Sequence, residues 1–169
     1  EPVIRTMHLA KLTKMNKSGD LVWGDYGNYF EDTLQMPMNS PTVFNFYRPD
    51  YSPPGSLNVA GLDGPAFEIA NSYTLISAPN RFWEIADRGF RIGGRYHFAP
   101  SYVDFMPYLE DSDALLDYLN IVICAGGMGA QTRSIIKSNL AKTDISDSVE
   151  KARLAVYLVL MSPEGAVQR

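Results

Sequence analysis

Asp111-Ser112-Asp113-Ala114-Leu115-Leu116-Asp117-Tyr118-Leu119-Asn120-Ile121-Val122-Ile123-Cys124-Ala125-Gly126-Gly127 is the stretch that separates two fold classes for this chain. Read from Ile121, an apolar run enters a glycine-rich turn, Gly126-Gly127-Met128-Gly129-Ala130-Gln131-Thr132. That order suits a strand, turn and helix whose backbone N–H groups hold a pyrophosphate, as in dinucleotide-binding proteins. Read from Asp111, the same residues form one helix. Asp111 or Ser112 caps its start, and Asp113, Asp117 and Asn120 fall at i, i+4 and i+7, a narrow polar stripe on an otherwise apolar helix. The helical reading is preferred, because the period extends upstream to Leu115, Thr132 stands where a third glycine is expected, and no further βαβ unit follows. Nucleotide binding through residues 126–132 is an alternative that requires a strand over residues 120–125.

Working outward, helix signals dominate. Residues 130–140 offer Thr132, Ile135, Ile136 and Leu140 to a core and Arg133, Lys137 and Ser138 to solvent. Asp147 and Glu150 have capping-box spacing ahead of a helix that runs to Met161, where Ser162-Pro163 stops it. Upstream, residues 2–16 read as a helix with Pro2 in its first turn, Asn16 to Asp20 break it with Gly19 as a stop, and residues 23–28 read as irregular. Tyr29 to Met36 reads as a further helix. Asp63-Gly64-Pro65 opens a helix over about residues 65–77, Pro79 is expected to end or kink it, and Asn80 to cap a second piece through Asp87. Residues 89–107, rich in glycine and aromatics, read as a long loop or one short hairpin. The fold class is therefore mainly α, an irregular multi-helix domain with long Pro/Gly/aromatic-rich connectors.

One connector stands apart. Ser40-Pro41-Thr42-Val43-Phe44-Asn45-Phe46-Tyr47-Arg48-Pro49-Asp50-Tyr51-Ser52-Pro53-Pro54-Gly55 interleaves aromatics with prolines. Aromatics bring large buried area and prolines fix φ, so the segment reads as ordered and packed, with a short helix over residues 41–47. Its edge, Tyr47, Tyr51 and Pro53-Pro54, could dock a protein, or it could strap helices of the same chain together.

Bulk properties bound the function. A length of 169 residues suits one domain, and a net charge of −4 argues against nucleic acid or an anionic membrane as the main partner. The longest apolar run, Leu154 to Met161, has eight residues, short of the roughly 18–20 that span a bilayer. The one cysteine, Cys124, lies in an apolar run and reads as a buried structural thiol. The chain begins Glu1-Pro2, as a processed piece would.

The connector Ser40 to Pro49, followed by Pro53-Pro54-Gly55, resembles the hallmark of the bacterial family called domain of unknown function 1800. So do Leu115-Leu116-Asp117-Tyr118-Leu119 with Gly126-Gly127 and Thr132-Arg133, and the ending Ser162-Pro163-Glu164-Gly165-Ala166-Val167-Gln168-Arg169. The resemblance is strongest over residues 36–70 and 105–169. It implies a mainly helical fold, an exported protein (periplasmic, cell surface or secreted), and a chain that forms the C-terminal portion of a larger helical domain with the upstream part as its partner. It supplies no catalytic residues, and residues 89–104 fit it poorly.

The residues that bear on ligands are basic and aromatic. Arg81 and Arg88 lie seven apart, on one face if residues 80–88 are helical, and Arg91 and Arg95 follow, interleaved with Phe82, Trp83, Phe90, Tyr96 and His97. Guanidinium forks match carboxylate, sulfate or phosphate, and aromatic faces stack on sugars. The candidate ligand site is therefore Arg81, Trp83, Arg88, Arg91, Arg95 and Tyr96. The competing reading pairs these arginines with Glu84, Asp87 and Asp104 on a solvated surface. His8 and His97 lack the spacing of a zinc site, Asp111-Ser112-Asp113 lacks the rest of a calcium loop, and adjacent carboxylates such as Glu31-Asp32 point apart on a helix. No cofactor or metal is expected.

These readings converge on a non-catalytic binding or scaffolding module at the cell envelope, for an acidic or neutral glycan or a partner protein. The alternative is part of a hydrolase-like enzyme whose catalytic residues lie largely upstream.

Overall fold

The computed structural model describes residues 1–15, 29–36, 38–92, 95–142 and 147–166; for residues 30, 91, 92 and 95–97 it describes the backbone alone. The expected break over residues 16–20 and the irregular stretch 23–28 lie outside the described residues. The architecture is mainly helical. In chain order come α1 (Pro2–Leu12), α2 (Tyr29–Thr33), α3 (Ser56–Val59), a 3-10 turn (Pro65–Glu68), α4 (Thr74–Arg88), strands β1 (Phe90–Ile92) and β2 (Arg95–His97), a second 3-10 helix (Val103–Tyr108), α5 (Ser112–Cys124), α6 (Ala130–Lys142), α7 (Ser148–Met161) and α8 (Pro163–Ala166). Among the described residues no helix is long and apolar enough to cross a membrane.

The core is organised around α7. Its Ala152, Ala155, Val156 and Val159 have no exposed surface, and the two alanines let neighbouring backbones approach. Helices α4, α5, α6 and α8 and the second 3-10 helix all pack on it. Ile85 and Ala86 of α4, Phe105, and Leu115, Leu116 and Leu119 of α5 complete the centre, and Phe82 of α4 is buried as well. Burying a Leu or Phe side chain contributes about 1.5–3 kcal/mol, so these residues dominate stability. Helix α1 is tied across the bundle by Arg5, whose Nη2 donates to the Leu160 carbonyl at 2.7 Å while the guanidinium sits 5.1 Å over the Phe82 ring. Burial holds that guanidinium below its ordinary pKa. Tyr102 is buried too: its hydroxyl donates to the Ala86 carbonyl at 2.7 Å, and burial raises its pKa well above the usual phenol range.

The decisive stretch is helix. Asp111 accepts from the Asp113 N–H as N-cap, and the turn is closed by Ala125 and Gly126 in the left-handed region at φ 50° and 80°. The polar stripe faces α6: Asp113 bonds Lys137 and Arg133, Asp117 Oδ1 accepts from Arg133 Nη1 at 2.6 Å, and Asn120 Oδ1 accepts from the Met128 N–H at 2.8 Å. Those bonds, Lys137 first and Arg133 next, hold the Asp113 carboxyl below its ordinary pKa. On α6, Ile136 and Leu140 are buried as expected, whereas Ile135 is exposed. Asp147 caps α7 through the Val149 N–H. Cys124 is buried.

Four expectations are corrected. Helix α1 ends at Leu12, where Thr13 Oγ1 donates to the Leu9 carbonyl and Lys14 takes φ 51°. Helix α2 stops at Thr33, before Leu34 at φ 52°. Residues 41–47 form turns, because Thr42 Oγ1 accepts from the Phe44 N–H and Asn45 turns to φ 65° in an isolated bridge with Thr42. Residues 65–77 are no single helix, and Pro79 breaks nothing. Asn71 Oδ1 accepts from the N–H groups of Tyr73 and Thr74, which fixes the start of α4 at Thr74. Pro79 then falls in the second turn, where its missing N–H costs one bond and the helix runs through to Arg88. The loop-or-hairpin region holds a hairpin, with Phe90 opposite His97, Arg91 opposite Tyr96 and Ile92 opposite Arg95.

Candidate functional site

Once α4 is one helix, the residues on its outer face fall into line. Tyr73, Ile76, Ser77, Asn80, Arg81 and Glu84 recur at three- and four-residue spacing, and with Asp32 of α2 they line a groove of about 350 Å³. The opposite face of α4 carries the buried Phe82, Ile85 and Ala86, so packing on α7 holds the groove face outward.

Arg81 is the centre of the groove wall. Its Nε and Nη2 both donate to Asp32 Oδ2, at 2.7 and 2.5 Å, and its Nη1 donates to Glu84 Oε2 at 2.5 Å. Arg81 and Asp32 are largely buried, at 17% and 19% side-chain exposure. Asp32 Oδ1 has no donor among the described residues. Ser77 Oγ donates to the Asp32 carbonyl at 2.6 Å and to the Tyr73 carbonyl at 3.1 Å, which ties α2 onto α4. At the rim Tyr73 is 57% exposed and Ile76 69% exposed. The groove thus combines apolar surface with planar polar groups held rigid by one another.

The six residues singled out from sequence do not form one site among the described side chains. Arg81 lines the groove. Trp83, two residues on, turns away and meets Tyr157 of α7 edge-on, with ring centroids 5.2 Å apart. Arg88 is exposed at the end of α4, with Asp87 Oδ2 3.2 Å from its Nε. Arg91, Arg95 and Tyr96 belong to the hairpin, and their side chains lie outside the described residues. Pairing with carboxylates accounts for Arg81 and Glu84, and Asp87 also holds Arg153 at 2.8 Å. Asp104 instead pairs with Lys14. Sequence reading missed Asp32, Tyr73, Ile76, Ser77 and Asn80 as groove residues.

Two other regions bear on function. The start of α6, where a pyrophosphate would sit, holds a carboxylate of the chain itself: Glu164 accepts from the Gly129 N–H at 3.0 Å and from Thr132 Oγ1. With residues 112–124 helical, the strand required by the nucleotide reading is replaced by helix. The connector expected to be ordered and packed buries Phe46, but residues 40–45 are exposed, Val43 and Phe44 among them. Residues 48–68, which begin within the connector, close on themselves. Gly64 N–H donates to the Tyr51 carbonyl at 2.7 Å, Ser52 Oγ to the Leu62 carbonyl at 2.9 Å, and Arg48 N and Nε to Glu68 at 2.6 Å each. This platform presents Val59, Leu62 and Phe67 to solvent. Burial pushes the Tyr47 hydroxyl at its base up to about 12.

Compared with protein-family profiles, curated proteins and solved structures, the chain matches none.

Proposed function

We propose that this chain is a non-catalytic binding module of the cell envelope whose ligand is a glycan, held in the α2–α4 groove. One observation carries the reading: an exposed aromatic ring, Tyr73, borders a groove whose polar wall is a pre-set Asp32–Arg81–Glu84 cluster. Sugars present an apolar ring face beside a fan of hydroxyls, and a half-apolar cleft with a few fixed polar groups suits both. Mutual pairing holds the cluster in place before a ligand arrives, which lowers the ordering cost of binding. The non-catalytic part is supported by Ser77, whose hydroxyl is directed at the backbone carbonyls of Asp32 and Tyr73. The envelope location follows from the family resemblance.

The test is amide chemical-shift mapping with oligosaccharides. Shifts are expected at residue 32 and over residues 73–84, and Tyr73→Ala is expected to weaken binding about tenfold, the usual loss for an aromatic anchor. Shifts confined to other parts of the chain would overturn the reading.

A second reading, docking of a partner protein, is favoured by the exposed apolar side chains of the 48–68 platform. It predicts loss of partner binding on Phe67→Ser with glycan binding unchanged.

A further inference from the structure

Resting on the glycan reading of the groove, we propose that its ligand is a sugar bearing a protonated amine, and that the groove turns acidic sugars away. Arginines suggest an anion site only while their donors are available. Here each of the three nitrogens of Arg81 already sends an N–H to a carboxylate oxygen, so its charge is compensated before an anion arrives. Among the described lining residues Arg81 is the one cation against two carboxylates, a formal charge of −1. A uronate would meet that charge with its own.

An ammonium group meets the opposite situation. Asp32 sends Oδ2 to Arg81, while Oδ1 has no donor among the described residues on a carboxylate that lines the groove. An N⁺–H donor would complete that carboxylate's coordination with a charge-assisted bond, about twice as strong as a neutral one. Asn80 adds an amide that can donate to and accept from sugar hydroxyls, and the Tyr73 ring offers a face that attracts cations as well as the apolar side of a pyranose. An amino sugar carries all three matching features in one ring.

The experiment is calorimetric titration of the chain, in mildly acidic buffer, with tetrasaccharides of β-1,4-linked glucosamine, of its N-acetylated form and of galacturonate. The glucosamine oligomer is expected to bind about tenfold or more tightly than the acetylated one, as a charge-assisted bond supplies, with galacturonate weakest. Asp32→Asn should abolish the preference, bringing the affinities of the glucosamine and acetylated oligomers to within about twofold of each other. Because Asp32 also ties α2 to α4, Tyr73→Ala is the second variant. It should weaken the glucosamine and acetylated oligomers in parallel while the circular dichroism spectrum stays that of the parent. Equal affinity for the amine and its acetylated form, or tightest binding of galacturonate, would overturn the amine preference and leave the glycan reading standing. Absence of binding by all three would sink both.

Discussion

Replacing Gly165 with alanine should uncouple the end of the chain from the start of α6. The Cβ added at Gly165 would lie 2.0 Å from the Val159 carbonyl oxygen and 3.0 Å from its carbon. That oxygen has little room to retreat, because it accepts from Ser162 Oγ at 2.7 Å and belongs to Val159, a fully buried residue in the last turn of α7. Helix α8 must therefore lift away from α7. Glu164 rides on the same short helix, and its carboxylate holds the Gly129 N–H and the Thr132 hydroxyl. Overpacking a close contact costs about 1–3 kcal/mol, and each hydrogen bond to a charged group contributes about 1.5–3 kcal/mol. With partial relaxation, a loss of about 2–4 kcal/mol is expected, or roughly 5–15 °C in Tm for a domain of this size. Urea unfolding of Gly165→Ala, Glu164→Ala and the double variant measures the coupling. If the glycine acts through Glu164, its cost should fall by about 1 kcal/mol or more when Glu164 is already gone. Gly129→Ala is the internal control. Its Cβ would meet only Glu164 Oε1, at 2.8 Å, the movable end of a side chain, so its cost should be smaller and vanish in the Glu164→Ala background. A Gly165→Ala protein within about 0.5 kcal/mol of the parent would refute the close-approach argument, and an unchanged cost in the double variant would refute the coupling.

Three further outcomes follow from the same reasoning. Arg81→Ala strips the donors from two carboxylates, one of them largely buried, and should cost about 2–3 kcal/mol in urea unfolding; Arg81→Lys should recover less than half, since one ammonium cannot span Asp32 and Glu84. Ala125→Gly should stabilise by about 0.5–1 kcal/mol, because the left-handed penalty at φ 50° exceeds the entropy that glycine loses; a destabilised variant in thermal melts would contradict this. Glu68 is held below its ordinary 4.5, chiefly by the Arg48 N–H and then by the Arg48 side chain. Its folded pKa lies below the unfolded one, so its stabilising share is complete above the unfolded value and lost as pH falls through the folded one. A carboxyl NMR titration should place the Glu68 midpoint below that of an exposed glutamate, and Glu68→Gln should flatten the acid limb of the stability curve.

Much of the fold was legible because its strongest signals are local. The period of residues 111–124, the caps at Asp111 and Asp147 and the stop at Ser162-Pro163 act within a few residues, and all appear where expected. Failures came where a tertiary or side-chain partner competes with local propensity. Thr42 and Asn45 turn a segment that composition alone reads as helix, and Asn71 starts α4 at a place no periodicity marks. Pro79 is tolerated for a related reason. A proline breaks a helix by its position relative to the true start, and that start was set by a side chain eight residues earlier.

The same error hid the site. Breaking the helix at Pro79 separates Tyr73, Ile76 and Ser77 from Asn80, Arg81 and Glu84, and the six-residue stripe that lines the groove disappears. Arg81 survived that reading as a basic residue among aromatics, which made it look like an anion ligand. Its partner Asp32 lies 49 residues away and is brought in by α2, so the sequence holds no short-range trace of the pair. The chemistry of an arginine is set by what its donors already hold. Counting basic residues predicts attraction for anions, whereas among the described lining residues Arg81 stands against two carboxylates and Asp32 Oδ1 has no donor. On the amine proposal, the sign of the preferred ligand is the reverse of what the count of basic residues suggests.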